Sequence, residues 1–187
     1  MRKIPWILGF AAILMSVVAS AQTYPNKGIR LIVPFAAGSL TDSLGRLLAK
    51  ELTAVLGQPV IVDNKPGASA IIGAQATAQA APDGYVLLLT TNTPQAANPS
   101  LFKKLPYDPV RCFTPIARIG YYPFVLVVNP AVGATSVKEL IDFARARPGK
   151  LSYATASSMS FVSAETFNVL AETELHRVAY KSSPQAL

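Results

Sequence analysis

The chain has 187 residues, 51% of them hydrophobic, with 17 Lys+Arg against 10 Asp+Glu and a net charge of +7. That length suffices for one good-sized domain, or for a small domain and part of another; the mild positive excess suits an anionic ligand, and the lack of any Lys/Arg run or basic–aromatic pattern argues against nucleic acid. A single cysteine, Cys112, excludes an intramolecular disulfide, and with one histidine, His176, and no carboxylate-rich loop, zinc, copper and calcium sites are not expected, nor is any cofactor.

Arg2 and Lys3 precede an almost wholly apolar run over 6–18, and Ala19-Ser20-Ala21 follows as a small-x-small cleavage site. This is the pattern of a secretory signal peptide over 1–21, cut after Ala21, and it predicts a soluble, exported protein. An N-terminal anchor fits less well, because the run is short and ends in the cleavage motif.

The rest alternates strand and helix signals. A continuous apolar run predicts a buried strand over 29–33. The helix expected over 41–56 has Leu44, Leu47, Leu48, Leu52 and Val55 on one apolar face, Ser39 or Thr41 as N-cap and Gly57 as its stop. A strand at 60–62, an Ala-rich helix over 68–80 and a strand at 85–90 complete a β-α-β-α-β order, which implies a parallel sheet covered on both faces. Residues 91–109 read as a long polar connection with a helical turn near 98–102. Strands are expected near 114–119 and 124–128. Tyr121, Tyr122 and Phe124 are read as packing against the core at a crossover between domains. A helix over 135–146 opens on a capping box of Ser136 and Glu139. A strand over 151–154, a helix over 161–171 and a strand over 175–180 follow. A further helix begins at 184–187, so the chain is expected to be truncated relative to the fold it encodes. The domains are expected at 22–121 and, in part, at 122–187.

Two strand-to-helix bends carry the functional expectation. Ligands in open parallel α/β sheets bind at the carboxyl ends of strands. The bend over 34–42 lies there, with small residues, the hydroxyls of Ser39, Thr41 and the following Ser43, and a helix N-terminus that together suit a carboxylate or phosphate. Turn geometry and capping alone account for the same Gly and Ser. Asp42, in the first helical turn, is read as serving the helix dipole. It would repel an anion placed close by, so a ligand carboxylate is expected toward the amides of 38–41 or bridged to Asp42 by water. The bend over 155–160 repeats the theme, and Thr90-Thr91-Asn92-Thr93 follows a third strand that could line the same cleft. Neither a Walker loop nor a dinucleotide fingerprint is present.

Tyr24-Pro25-Asn26-Lys27, the run from Ile29 to Gly38, Thr41-Asp42, Leu56-Gly57-Gln58-Pro59-Val60, Asp63-Asn64-Lys65-Pro66-Gly67-Ala68, Ala81-Pro82-Asp83-Gly84-Tyr85, the run from Asn98 to Pro109, Pro148-Gly149-Lys150-Leu151 and Tyr180-Lys181 occur in order. Together they resemble the Bug family, the TctC-like periplasmic receptors of tripartite tricarboxylate transporters. The resemblance implies an α/β, periplasmic-binding-protein-like fold: two Rossmann-like α/β domains around a cleft, the second incomplete here. It implies capture of a small carboxylate and delivery to membrane permease subunits by a monomer. It also implies a ligand site in the two bends, made of Phe35, Ala37, Gly38, Ser39, Thr41 and Asp42 in the first and Thr155, Ala156, Ser157, Ser158 and Ser160 in the second; Thr91 and Asn92 of the third polar stretch are expected beside them. Departures from the family pattern are Ser39 and Leu40 after Gly38, a second bend without glycine and a shorter approach to its helix, and Cys112 at a usually acidic position.

Two rivals remain in view. One is a non-functional remnant of such a receptor. The other is a secreted serine-dependent hydrolase, which lacks a Gly-x-Ser-x-Gly elbow and has His176, in a predicted strand, as its single candidate base.

Overall fold

The computed structural model describes residues 23–180 and the backbone of 183–186; the expected leader at 1–21 lies outside these. Strand β1 (Ile29–Val33) is the centre of a parallel three-stranded sheet of order β2-β1-β3, with β2 at Val60–Asn64 and β3 at Val86–Leu88. Leu31 lies opposite Val62 on one side and Leu87 on the other. Flanked on both edges and covered by helices, β1 buries Ile29, Leu31, Ile32 and Val33 almost completely, as its unbroken apolar run requires. Leu48, Leu52, Leu56, Val62 and Leu87 pack around this core.

Helix α1 (Leu40–Leu56) starts at the N-cap Ser39 and stops at Gly57, whose φ is +66°. Its buried positions are Thr41, Asp42, Gly45 and Ala49. The expected apolar face is therefore only partly right: Leu48 and Leu52 pack on the core, but Leu47 and Val55 are 58% and 81% exposed, and Leu44 is exposed as well. The cause is close approach. A Cβ on Gly45 would lie 3.0 Å from Val33 Cγ2 and 3.3 Å from Leu89 Cδ2, so the helix meets the sheet through its small residues.

Helix α2 (Ile71–Ala78) is shorter than expected at both ends. Its start is delayed because Ala68, Ser69 and Ala70 have φ of 46°, 53° and 69°. Three successive left-handed L-residues cost about 1–2 kcal/mol each and persist only where their surroundings hold them. A Cβ on Gly73 would lie 2.6 Å from Pro34 Cβ, so α2 presses against the end of β1. A π-helical turn over Thr93–Ala97 and helix α3 (Asn98–Leu101) follow, which extends the expected helical turn toward the N-terminus.

The strands expected near 114–119 and 124–128 do not form. β-rich composition needs a neighbouring strand to pair with, and this tract finds none among the described residues. Tyr121 is 90% exposed and Phe124 is exposed too, so the expected core packing of these aromatics is also wrong. Helix α4 (Val137–Ala146) is capped by Ser136, whose hydroxyl accepts the Glu139 amide, but Glu139 reaches back one residue further than a capping box, to the amide and hydroxyl of Thr135. Strand β4 (Ser152–Thr155), helix α5 (Ser158–Ala171) and strand β5 (His176–Ala179) form a second βαβ unit, with β4 and β5 parallel. Helix α5 begins three residues earlier than expected. A last helical turn, α6, spans Ser183–Ala186.

Candidate functional site

The first bend leaves the carboxyl end of β1. The Ser39 amide donates to the Ala36 carbonyl at 3.1 Å and closes a turn with Gly38 in its third position at φ +81°, which glycine adopts without strain. Ser39 then caps α1, its hydroxyl accepting the Asp42 amide at 3.2 Å.

What this bend grips within the chain is the carboxylate of Asp42. Its Oδ2 accepts the Gly38 amide at 2.9 Å and Arg46 Nε at 3.0 Å, and its Oδ1 accepts Asn64 Nδ2 at 2.9 Å. Asn64 Nδ2 also donates to the Phe35 carbonyl at 3.1 Å, and Arg46 Nη2 donates to Asn64 Oδ1 at 3.2 Å. Asp42 is only 3% exposed. Burial alone would raise its pKa; the hydrogen bonds from Arg46, Gly38 and Asn64 outweigh that and hold the carboxyl below the ordinary aspartate value. Of the amides of 38–41, toward which a ligand carboxylate is expected, that of Gly38 is thus engaged by Asp42.

The second bend is built on the same plan. Thr155 ends β4 and is buried, its hydroxyl accepting Arg177 Nε at 3.2 Å. Ser157 caps α5, accepting the Ser160 amide at 3.2 Å, and the Ser160 hydroxyl accepts the amides of Ala156 and Ser157 at 3.2 and 3.1 Å. Ser160 therefore does at this bend what Asp42 does at the first: the third helical residue reaches back to an amide before the cap. In each helix the first two amides, of Leu40 and Thr41 and of Ser158 and Met159, make no hydrogen bond within the chain among the described residues. Such orphan donors at the positive end of a helix suit an anion.

Ala37 and Gly38 are exposed, Phe35 and Ser39 half-buried. Thr91 accepts the Thr93 amide at 3.2 Å, and Asn92 is exposed. No hydrogen bond joins the first bend to the second among the described residues. The second bend is instead tied to the β1–β3 unit by Asn98. This fully buried side chain accepts the Ser158 hydroxyl at 2.8 Å and donates Nδ2 to the Ser69 carbonyl at 2.8 Å. Arg46, Asn64, Ser69 and Asn98 were not among the expected site residues. Arg46 was the findable one, four residues after Asp42 on the same helical face; the others act over long sequence separations. Two open concavities, of about 520 Å³ beside Asn168 and Leu175 and about 650 Å³ beside Phe102 and Tyr107, include none of the candidate residues.

Residues 44–187 match the family model for the tripartite tricarboxylate transporter family receptor, TctC. Protein BugT of Bordetella pertussis is 39% identical over 171 residues, covering 90% of this chain and 52% of that protein. A protein encoded in the gbd 5' region of Cupriavidus necator is 36% identical over 96% of this chain and 54% of its own length. The chain thus spans about half the length of the curated relatives it matches. Among solved structures, R. palustris Rpa4515 with adipate superposes with a TM-score of 0.81 at 34% identity, and MatC of Rhodopseudomonas palustris with bound malate with a TM-score of 0.81 at 30% identity. These cover 87% of this chain and 55% and 56% of those structures. The periplasmic binding protein BugD gives 0.72 at 32% identity. The α/β fold with parallel sheets is that of periplasmic binding proteins.

Proposed function

The chain belongs to the tripartite tricarboxylate transporter receptor family, TctC, and from that premise we propose that it captures a small carboxylate outside the cytoplasm and presents it to the membrane permease subunits of such a transporter. The observation that carries this reading is the matched pair of bends. Each follows the carboxyl end of a parallel strand, each caps its helix with a serine, and each leaves the first two helical amides without a partner among the described residues. Free N–H groups with the positive end of the dipole behind them favour a carboxylate.

On this reading the amides of Leu40 and Thr41 take one carboxylate and those of Ser158 and Met159 another. Phe35, Ala37, Gly38 and Ser39 form the rest of one wall, Thr155, Ala156, Ser157 and Ser160 the other, with Thr91 and Asn92 between. The two neighbours bound to adipate and malate support a dicarboxylate. Residues 22–121 and 122–187 are taken as the two bodies, 1–21 as an export leader removed after Ala21, and the receptor as a monomer without cofactor. We read no enzymatic role: the hydroxyls of Ser157, Ser158 and Ser160 are committed to capping and to Asn98, and the His176 ring hydrogen-bonds none of them.

Isothermal titration calorimetry of the full chain with malate and adipate, with their dimethyl esters as controls, tests the reading. One-to-one binding of a free acid, no heat from its ester, and a melting temperature that rises with acid concentration are expected. A chain that melts cooperatively yet binds neither of these nor any acid in a panel of small mono-, di- and tricarboxylates overturns it.

A further inference from the structure

Asn98 does more than fill space between the two βαβ units. Its carboxamide is fully buried and both of its ends are used across long sequence separations: Nδ2 on the Ser69 carbonyl, 29 residues away, and Oδ1 on the Ser158 hydroxyl, 60 residues away. Ser69 is the middle residue of the left-handed turn Ala68-Ser69-Ala70. Ser158 is the first residue of α5, next to its cap, and is itself 4% exposed. The neighbourhood is closed: Thr93 and Pro94 are buried beside Asn98, and Tyr107 donates its hydroxyl to the Pro94 carbonyl at 2.9 Å. No other short side chain offers a donor and an acceptor on one planar group. Aspartate would set an oxygen against the Ser69 carbonyl, and leucine would strand both partners.

We propose that Asn98 is a positioning residue that sets the second bend, and with it the Ser158 and Met159 amides, against the first βαβ unit. Its link to ligand affinity rests on the carboxylate-binding reading above; the brace itself does not. Breaking the brace lets the α5 N-terminus move relative to the first unit. Bound carboxylate is then released faster, while capture changes little, because the amides themselves remain.

The test uses the full chain and the variants Ser158→Ala, Ser158→Thr, Asn98→Ala and the Asn98→Ala/Ser158→Ala pair. With malate and adipate as probes, Ser158→Ala and Asn98→Ala should each raise Kd about tenfold, as loss of one well-formed buried hydrogen bond does, with the change in the release rate. Ser158→Thr, which keeps the hydroxyl, should stay within about twofold. The double variant should be no worse than either single one. Amide hydrogen exchange over 156–161 should accelerate in Asn98→Ala as it does in Ser158→Ala, with or without acid. A role confined to stability lowers the melting temperature without changing release measured well below it, and would overturn the proposal, as would additive single variants. If Asn98→Ala does not fold, the Ser158→Ala and Ser158→Thr pair decides by the same measures. If the parent chain binds neither these acids nor any acid of the mono-, di- and tricarboxylate panel, the carboxylate reading falls and exchange alone decides the brace: coupled exchange sustains it, and unchanged exchange over 156–161 overturns it.

Discussion

Gly38 donates its backbone N–H to the carboxylate of Asp42 at 2.9 Å, so the bend ahead of α1 closes on an anion the chain supplies itself. Three donors converge on that carboxylate, from Gly38, Arg46 and Asn64, and together they join the bend, the helix and strand β2. On the carboxylate reading, an incoming anion meets a bend whose geometry is already set, with the amides of Leu40 and Thr41 left for it. Preorganisation of this kind leaves less ordering to be done on binding.

Asp42→Asn should destabilise the chain by about 1–3 kcal/mol, because an amide turns an NH2 toward groups that are all donors. The pH dependence carries a sign. The folded pKa lies below the unfolded value, so the Asp42 contribution is fully present above the ordinary aspartate pKa of 3.8 and is lost as pH falls through the folded value. Urea unfolding of parent and variant should therefore diverge at neutral pH and converge below about pH 4. Parallel curves throughout would remove Asp42 from the acid limb.

Gly38→Ala should cost about 1 kcal/mol from backbone strain alone, since φ is +81° and the added Cβ meets nothing within 4 Å. A bulky side chain there projects into the same open space. On the carboxylate reading, Gly38→Val abolishes the calorimetric signal of the acids while far-UV dichroism and cooperative melting persist.

At Gly73 the outcome is steric. A Cβ would fall 2.6 Å from Pro34 Cβ, and 2.8 Å from Pro34 Cα and 3.0 Å from the Lys65 carbonyl, the last two backbone atoms, so α2 or the bend must shift. Gly73→Ala should destabilise by about 1–3 kcal/mol, as measured by urea midpoint, and on the carboxylate reading should slow capture in stopped-flow binding. A neutral substitution would show that α2 is free to slide.

Tyr153 donates a hydrogen bond to Glu165, and burial with this carboxylate partner pushes the phenol up to about 12. A raised folded pKa means that its contribution is intact below the ordinary tyrosine value of 10.0 and is lost as pH rises from there through about 12. Ultraviolet titration should find Tyr153 ionising late alongside Tyr107, whose phenol burial also pushes up; Tyr153→Phe should remove one late-ionising tyrosine and leave the other, and the variant should lose less stability than the parent between pH 10 and 12.

Local chemistry was legible in the sequence where local chemistry decides. Strand β1, the Ser39 cap, the Gly57 stop and the Ser136 cap follow from apolar runs and capping rules acting within a few residues. The two bends were found the same way. What escaped depends on neighbours distant in sequence. The α1 stripe of Leu44, Leu47 and Val55 reads as core, but Gly45 brings the helix down on another face. The tract over 114–128 has strand composition and no ladder. Asn98 sits in a polar connection and shows nothing unusual until Ser69 and Ser158 are placed beside it.

The strand order has a consequence for biosynthesis. β1 is made first and lies in the middle, yet both of its partners come later, with Ile29 waiting for Val60 and Arg30 for Val86. Until β3 has emerged, the most apolar strand of the unit has a bare edge, the state in which nascent chains most readily pair with the wrong neighbour. A holding chaperone engaged during synthesis would serve this polypeptide best if it kept residues 29–33 covered until residue 88 is available.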